Sequence, residues 1–123
     1  MQTYKKKLVI AVDFDDTLCK TAFPKILTQT KKQKTLLENL KKLKKKGHKL
    51  ILWTCRGNNK KYPALKQAIS WCKKRGLYFD SINKNVKKQK KLSGYSPKVL
   101  ADIYIDDKCV NYRNWKNLCK KKQ

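Results

Sequence analysis

Short apolar runs alternate with amphipathic stretches along most of this chain. Residues 8–12 form an uninterrupted apolar run that contains Val and Ile, which is typical of a strand buried on both faces of a parallel sheet. Similar runs predict strands at 48–53 and 99–105, and a weaker strand at 77–82. The pattern therefore predicts four strands spread over the chain.

The first two strands are separated by a predicted polar loop, which runs from the end of the first strand to about residue 28 and contains Pro24, and by a helix from about residue 30 to 46. The apolar residues of this helix fall at i, i+1, i+4 and i+7, so they form one stripe on an otherwise lysine-rich surface. They are Leu36, Leu37, Leu40 and Leu43. Gly47 is expected to end the helix.

A second helix is predicted to begin near Pro63 and to end at Gly76, because apolar residues recur at helical spacing between them. These residues are Ala64, Leu65, Ala68, Ile69 and Cys72. A short helix is predicted at 86–92, followed by a turn at 93–97. The tail from residue 110 is predicted to form another short helix that packs Trp115 and Leu118.

Strands that alternate with helices at these spacings indicate βαβ units with right-handed crossovers. The length of 123 residues is that of one domain. We therefore expect an α/β protein: a single Rossmann-like, three-layer α/β/α domain with a parallel sheet, a core over about residues 7–108 and a short tail at 109–123.

The composition is strongly basic, with 33 Lys and Arg, 8 Asp and Glu, and a net charge of +25. Glu38 is the only glutamate. Such a charge attracts polyanions such as nucleic acid, but a solvated lysine coat that keeps the protein in solution is an equal alternative. The lysines are spread over the whole chain without regular aromatic interleaving, so the sequence does not choose between the two.

The cysteines argue against a zinc site and for a reducing environment. None of the five cysteines belongs to a CxxC pair, and the one histidine, His48, is near none of them in sequence. No signal peptide or long apolar segment is apparent. We therefore expect reduced thiols, no membrane span and a cytoplasmic location.

Polar residues suited to chemistry follow every predicted strand, and the carboxyl ends of parallel strands share one edge of a sheet. We expect these residues to converge at one site. They are Asp13, Asp15 and Asp16 after the first strand, Thr54 after the second, Asn83 and Lys84 after the third, and Asp106 and Asp107 after the fourth.

Several carboxylates in one cleft repel each other, and a hard divalent cation relieves that repulsion. Magnesium prefers carboxylate oxygens and completes its coordination with water or substrate phosphate. The Thr54 hydroxyl and the Lys84 ammonium both suit a phosphate oxygen. Together these groups indicate phosphoryl transfer with Mg²⁺ as cofactor.

The chain resembles the haloacid dehalogenase superfamily of phosphohydrolases in three segments. They are the motif Asp13-Phe14-Asp15-Asp16-Thr17 after an apolar strand, a strand ending in Thr54, and a later strand ending in Asp106-Asp107. The resemblance covers about residues 7–108. The segments VLADIYIDDK and WTCRG also resemble small capless members of that superfamily from bacteria and viruses.

The resemblance implies a role for each aspartate. Asp13 would be the nucleophile that forms an aspartyl-phosphate, and Asp15 the general acid and then the base that activates water. Magnesium would be held by the Asp13 side chain, the Asp15 carbonyl and Asp106, with Asp107 bound directly or through water.

Two assignments rest on position alone. Lys84 follows the third strand and lies at the correct edge of the sheet, whereas Lys98 precedes the fourth strand and would lie at the wrong edge. Arg56, two residues after Thr54, either reaches the substrate or pairs with a nearby acid, and both interpretations stay open.

No insertion between the strands is long enough for a substantial cap domain, so we expect an open site. An open basic site favours a nucleic-acid end or a phosphoprotein, and a nucleotide remains an option if another subunit acts as the lid. Two alternatives to an efficient enzyme are a nucleic-acid-binding protein with a vestigial site and a phosphate-accepting regulatory module.

Overall fold

The computed structural model describes residues 7–86 and 99–107, and every structural statement below concerns these residues. In chain order the elements are β1 (Val9–Val12), β2 (Thr21–Ala22), β3 (Lys25–Ile26), α1 (Lys31–Lys45), β4 (Lys49–Leu52), α2 (Ala64–Lys74), β5 (Ser81–Ile82) and β6 (Ile103–Ile105).

The main sheet has four parallel strands in the order β5-β4-β1-β6. The register pairs Val12 with Leu52 on one side and with Ile105 on the other. The central strand β1 therefore ends level with both of its neighbours, and the residues that follow these strands meet at one edge. This confirms the predicted α/β fold with a parallel sheet.

Both described helices pack on the same face of the sheet. The leucines Leu37, Leu40 and Leu43 of α1, and Ala68 and Cys72 of α2, belong to one buried cluster with the alternate residues of β1 and β4, which are Ile10, Val12, Leu50 and Leu52. The crossovers from β1 to β4 and from β4 to β5 advance in the same direction across the sheet, so right-handed connections place both helices on one side.

The connection from β5 to β6 returns across the sheet in the opposite direction, so a right-handed crossover covers the other face. Its described ends do so, since Val86 and Val99 pack with Ala11 and Ile51 on that face. The predicted helices at 86–92 and from residue 110, which would complete the second helical layer, lie outside the described residues apart from Val86.

Helix α1 begins with a capping box. The Thr30 side chain accepts a hydrogen bond from Gln33 N at 3.1 Å, and the Gln33 side chain accepts one from Thr30 N at 2.8 Å. Beyond its end, Gly47 has a φ of +101°, a conformation that glycine adopts without steric cost. Gly76, beyond α2, has a φ of +82°. Both predicted helix ends are therefore confirmed.

The prediction of a polar loop from the end of the first strand to about residue 28 was wrong in part, because this segment contains a hairpin in which Thr21 pairs with Ile26 and Ala22 with Lys25. Each strand has only two residues, too few to show an alternating pattern in the sequence. The hairpin follows β1 directly, so it lies beside the carboxyl edge of the main sheet.

Strands β5 and β6 are shorter than the apolar runs predicted, because an aspartate precedes each of them. Asp80 N donates to Leu50 O at 2.8 Å, while its carboxylate accepts from Leu50 N at 2.8 Å. Asp102 makes the same two contacts with Val9, at 2.7 Å each. In both cases the side chain takes the place of a backbone acceptor, so regular strand pairing begins only after the aspartate.

Within the described part of the chain, no helix combines the length and the apolar character that crossing a lipid bilayer requires.

Candidate functional site

Asp13 stands at the centre of the carboxyl edge. Its N–H donates to Ile105 O at 2.9 Å, which continues the pairing of β1 with β6 by one residue. The same register places Asp106 beside Asp13. The sheet thus brings together residues that are 93 positions apart in sequence. The hydrogen bond from Val9 N to Asp102 spans the same separation.

A tight turn presents Asp13 and Asp15. The Phe14 carbonyl accepts hydrogen bonds from Thr17 N at 3.2 Å and Leu18 N at 3.0 Å, and the side chains of Phe14 and Leu18 are fully buried. Asp16 has a φ of +62°, which aspartate tolerates better than most residues. The buried side chains thus anchor the turn and leave its carboxylates at the edge of the sheet.

The Asp13 carboxyl is partly buried, and this burial is the largest cause that raises its pKa, to about 6. The negative charges of Asp15 and Asp107 raise it further, while hydrogen bonds from Phe14 N and the Thr17 hydroxyl oppose the rise. The Thr17 hydroxyl donates to Asp13 Oδ2 at 3.4 Å. A carboxylate in this setting favours binding to a cation.

Thr54 is fixed at the end of β4 by two hydrogen bonds. Its N–H donates to Asn83 Oδ1 at 2.8 Å, and its hydroxyl oxygen accepts from Arg56 N at 3.1 Å. The hydroxyl hydrogen can still be donated to a phosphate oxygen. Asn83, with a φ of +52°, thus links the end of β5 to Thr54.

The Arg56 side chain is completely buried and binds Asp15 through two nitrogens. Nη2 lies 2.7 Å from Asp15 Oδ1, and Nε lies 3.0 Å from Asp15 Oδ2. Nη1 donates to the carbonyls of Pro24 and Ala64, both at 3.2 Å. Of the two interpretations of Arg56, the structure shows the pairing with a nearby acid, which is Asp15.

Two phenylalanine rings enclose this guanidinium. Its central carbon lies 4.9 Å from the ring centre of Phe14 and 5.1 Å from that of Phe23. The Phe23 ring is nevertheless 64% exposed. The stack connects the turn after β1 with the β2–β3 hairpin, and it fixes the position of Asp15 between them.

Lys84 and Asp107 are exposed, and Asp106 is partly buried. Asp106 and Asp107 follow β6, which is next to β1, whereas Lys84 follows β5, which is two strands away from β1. Lys84 therefore lies at the predicted edge but at its far end, next to Asn83. Lys98 lies outside the described residues.

Among residues 7–86 and 99–107, no three carboxylate, histidine or cysteine side chains form a cluster of the kind that holds a metal ion. The magnesium ligands implied by the resemblance include the backbone carbonyl of Asp15. They therefore do not require three side chains in contact with one another. The charges of Asp15 and Asp107 act on Asp13, which concentrates anionic oxygens there. In charge and donor type, these residues fit Mg²⁺.

The sequence did not single out Thr17 or Phe23, although both contact the site. Thr17 belongs to the quoted DFDDT motif and could have been found there. Phe23 carries no local signal, because only the hairpin brings its ring against Arg56.

No family model and no curated protein matches the chain. The solved structure of a conserved protein from Bacteroides thetaiotaomicron is similar to it, with a TM-score of 0.74 and 33% sequence identity, over 96% of this chain and 94% of that protein.

Proposed function

The chain belongs to the same family as the conserved Bacteroides thetaiotaomicron protein, and we propose that it is a magnesium-dependent phosphohydrolase that works through an aspartyl-phosphate intermediate. The observation that carries the proposal is the position of Asp13. It is partly buried at the carboxyl edge, and the register of β1 with β6 places it next to Asp106. The negative charges of Asp15 and Asp107 act on its carboxyl group. Such a cluster is costly unless it binds a cation.

In the first step an Asp13 carboxylate oxygen attacks the phosphorus of a phosphomonoester. The bond from phosphorus to the ester oxygen breaks, and Asp15 gives its proton to the leaving oxygen. In the second step Asp15 takes a proton from water, and the water oxygen attacks the same phosphorus. Inorganic phosphate leaves, and the Asp13 carboxylate is restored.

Magnesium would be held by the side chains of Asp13 and Asp106 and the carbonyl of Asp15, with Asp107 bound directly or through water, and would supply charge neutralisation at the phosphate oxygens. The Thr54 hydroxyl, held at the end of β4 by Asn83 and Arg56 N, is positioned to donate to a phosphate oxygen. Lys84 at the same edge would add a positive charge.

Arg56 acts here as a positioning residue. It holds Asp15 through a two-point contact, which fixes the orientation of that carboxyl group. The group that gives a proton to the ester oxygen and later takes one from water therefore stays in one place. The first step needs least help from Asp15 when the leaving oxygen is already stable as an anion, as in an aryl phosphate.

The described residues between β1 and β4 are the turn, the β2–β3 hairpin and α1, which supports an open site without a cap domain. A large phosphomonoester, such as a nucleic-acid end, is the substrate class that such a site suits, and a nucleotide is the smaller alternative. The described cysteines Cys19, Cys55 and Cys72 are thiols, which supports a reducing, cytoplasmic setting.

The test is hydrolysis of an aryl phosphate by the parent protein, with magnesium and with chelator, and by three variants, one of which is a control. We expect turnover that depends on a divalent metal, no turnover with Asp13→Asn, and a higher magnesium concentration for half-maximal activity with Asp106→Asn, because the variant loses a metal ligand. Asp16→Asn is the matched control, because it removes an aspartate from the same turn that the mechanism does not use. Equal activity in chelator, or multiple turnover by pure Asp13→Asn protein, would overturn the proposal.

Stoichiometric phosphorylation of Asp13 without turnover would instead identify the phosphate-accepting regulatory module. A transient phosphoenzyme that decays to inorganic phosphate supports the enzyme. Mass measurement of the protein after acid quenching distinguishes these outcomes.

A further inference from the structure

The edge of the sheet opposite to the aspartates is strongly basic. Strands begin and both helices end at this edge, and the last turns of the helices carry Lys42, Lys44 and Lys45 in α1 and Lys73 and Lys74 in α2. By contrast, five of the eight acidic residues lie at the carboxyl edge. Most of the acids therefore lie at the carboxyl edge, and the last turns of both helices place a cluster of lysines at the other.

The helix C-termini border a concave surface of about 450 Å³, lined by Glu38, Lys41, Lys42, Lys44, Lys45 and Gly76. We call this surface the lysine groove. Its acidic neighbours do not neutralise it, because Glu38 pairs with Lys41 at 3.4 Å and Asp80 with Lys44 at 3.0 Å, while Lys42 and Lys45 add their charges on the same turns.

An exposed aromatic residue follows the groove residue Gly76 in the chain. Tyr78 lies two residues beyond it and is 51% exposed. An exposed ring on a segment that continues from a row of lysines can stack a base while the lysines contact phosphates.

We propose that the lysine groove and Tyr78 form a binding surface for single-stranded nucleic acid, at the edge opposite to the proposed phosphohydrolase site. The lysines contact the phosphate backbone, and Tyr78 stacks on an unpaired base. The surface retains a polynucleotide without competing for the carboxyl edge.

The occupant is a nucleic acid and not an anionic membrane, because the described groove lining contains no large apolar side chain that could insert into lipid. Single strands are favoured over duplexes because only unpaired bases expose a face to Tyr78. The proposal does not depend on the phosphohydrolase, since binding needs neither the aspartates nor metal.

The binding test uses a fluorescent oligothymidylate of about 20 nucleotides with hydroxyl ends, so that no terminal phosphate engages the carboxyl edge. Anisotropy is measured in chelator over a range of salt concentrations. The triple variant Lys41→Gln, Lys42→Gln, Lys45→Gln should bind at least about tenfold more weakly, with a salt slope lower by about 2, the value for three lost contacts to a single strand.

The matched control is Lys31→Gln, Lys32→Gln, Lys34→Gln, which removes the same charge from the other end of the same helix. It should weaken binding less than about threefold. Equal losses in the two triple variants would show a diffuse lysine coat and overturn the proposal. Lys44 is kept in both, so that its pair with Asp80 remains.

Tyr78 separates base stacking from charge alone. Tyr78→Ala should weaken oligothymidylate binding about fivefold or more and leave inorganic polyphosphate binding unchanged, whereas Tyr78→Phe should retain both. Equal losses of affinity for oligothymidylate and for polyphosphate would show that Tyr78 is not part of the binding surface. Tighter binding to duplex DNA or to vesicles of anionic lipid than to the single strand would also overturn the proposal, and thermal melts verify that each variant is folded.

Discussion

Arg56 and Asp15, which are 41 residues apart, face each other with Nη2 2.7 Å from Oδ1 and Nε 3.0 Å from Oδ2. The arginine is buried, whereas the Asp15 side chain is 27% exposed. One rigid side chain therefore fixes the conformation of the proposed acid and base, and leaves part of its carboxylate accessible to the reaction.

Arg56→Lys should lower kcat for an aryl phosphate about 100-fold with little change in KM, because a misplaced Asp15 no longer aligns the attacking water. The pH profile of kcat should change as well, which loss of packing alone would not cause. Arg75→Lys is the control, since Arg75 lies over the Trp71 ring and donates to the Trp71 carbonyl instead of holding Asp15. A proportional rise in KM with unchanged kcat would contradict the positioning role.

The Asp13 carboxyl should make the metal-free protein less stable at neutral pH than at about pH 5. Its pKa in the folded protein is about 6, above the ordinary 3.8, so the native state holds more protons between these values than the unfolded chain. Its stabilising contribution is complete below 3.8 and is lost as the pH rises through about 6.

Urea denaturation in chelator at about pH 5 and 7.5 measures this effect in the parent and in Asp13→Asn. The variant should lose this part of the pH dependence and be at least as stable as the parent at the higher pH. Magnesium should stabilise the parent at neutral pH and the variant much less. An unchanged pH dependence in Asp13→Asn would contradict the prediction.

His48 should have the opposite effect on stability. Burial, followed by the charges of Lys7 and Lys46, lowers its pKa below 6.5, and its Nδ1 accepts a hydrogen bond from Leu8 N at 3.0 Å. As the pH falls, His48 is therefore protonated in the unfolded chain before it is protonated in the folded protein. The stability that His48 contributes above pH 6.5 is lost on this acidification. His48→Asn keeps an acceptor and removes the titration, so the parent should lose more stability than this variant on acidification. Equal losses of stability in the parent and in His48→Asn would contradict the prediction.

Asp80→Ala should reduce the free energy of unfolding by about 1–3 kcal/mol, because Leu50 N loses its acceptor and Lys44 its partner. Asp80→Asn keeps an oxygen for Leu50 N and should retain most of that stability. Urea denaturation compares the two. If Asn costs as much as Ala, the ion pair with Lys44 and not the backbone contact carries the effect.

The order along the chain of the four strands of the main sheet and of the two described helices, and the edge where the aspartates lie, could be predicted from the sequence alone. Apolar runs, the helical spacing of the leucines in α1 and the two glycines after the helices are local signals, and the single-domain α/β fold follows from their alternation. Asp13, Thr54 and Asp106 could be placed at one edge because parallel strands share a direction.

The tertiary structure decided what those residues contact. Asp80 and Asp102 shorten β5 and β6 because their carboxylates substitute for backbone acceptors of neighbouring strands, which no local pattern reveals. The sequence did not show that Arg56 pairs with Asp15, because its position depends on the carbonyls of Pro24 and Ala64 and on two aromatic rings around it. A buried guanidinium is stable only where several separate segments supply acceptors together, and that convergence exists only once the chain has folded.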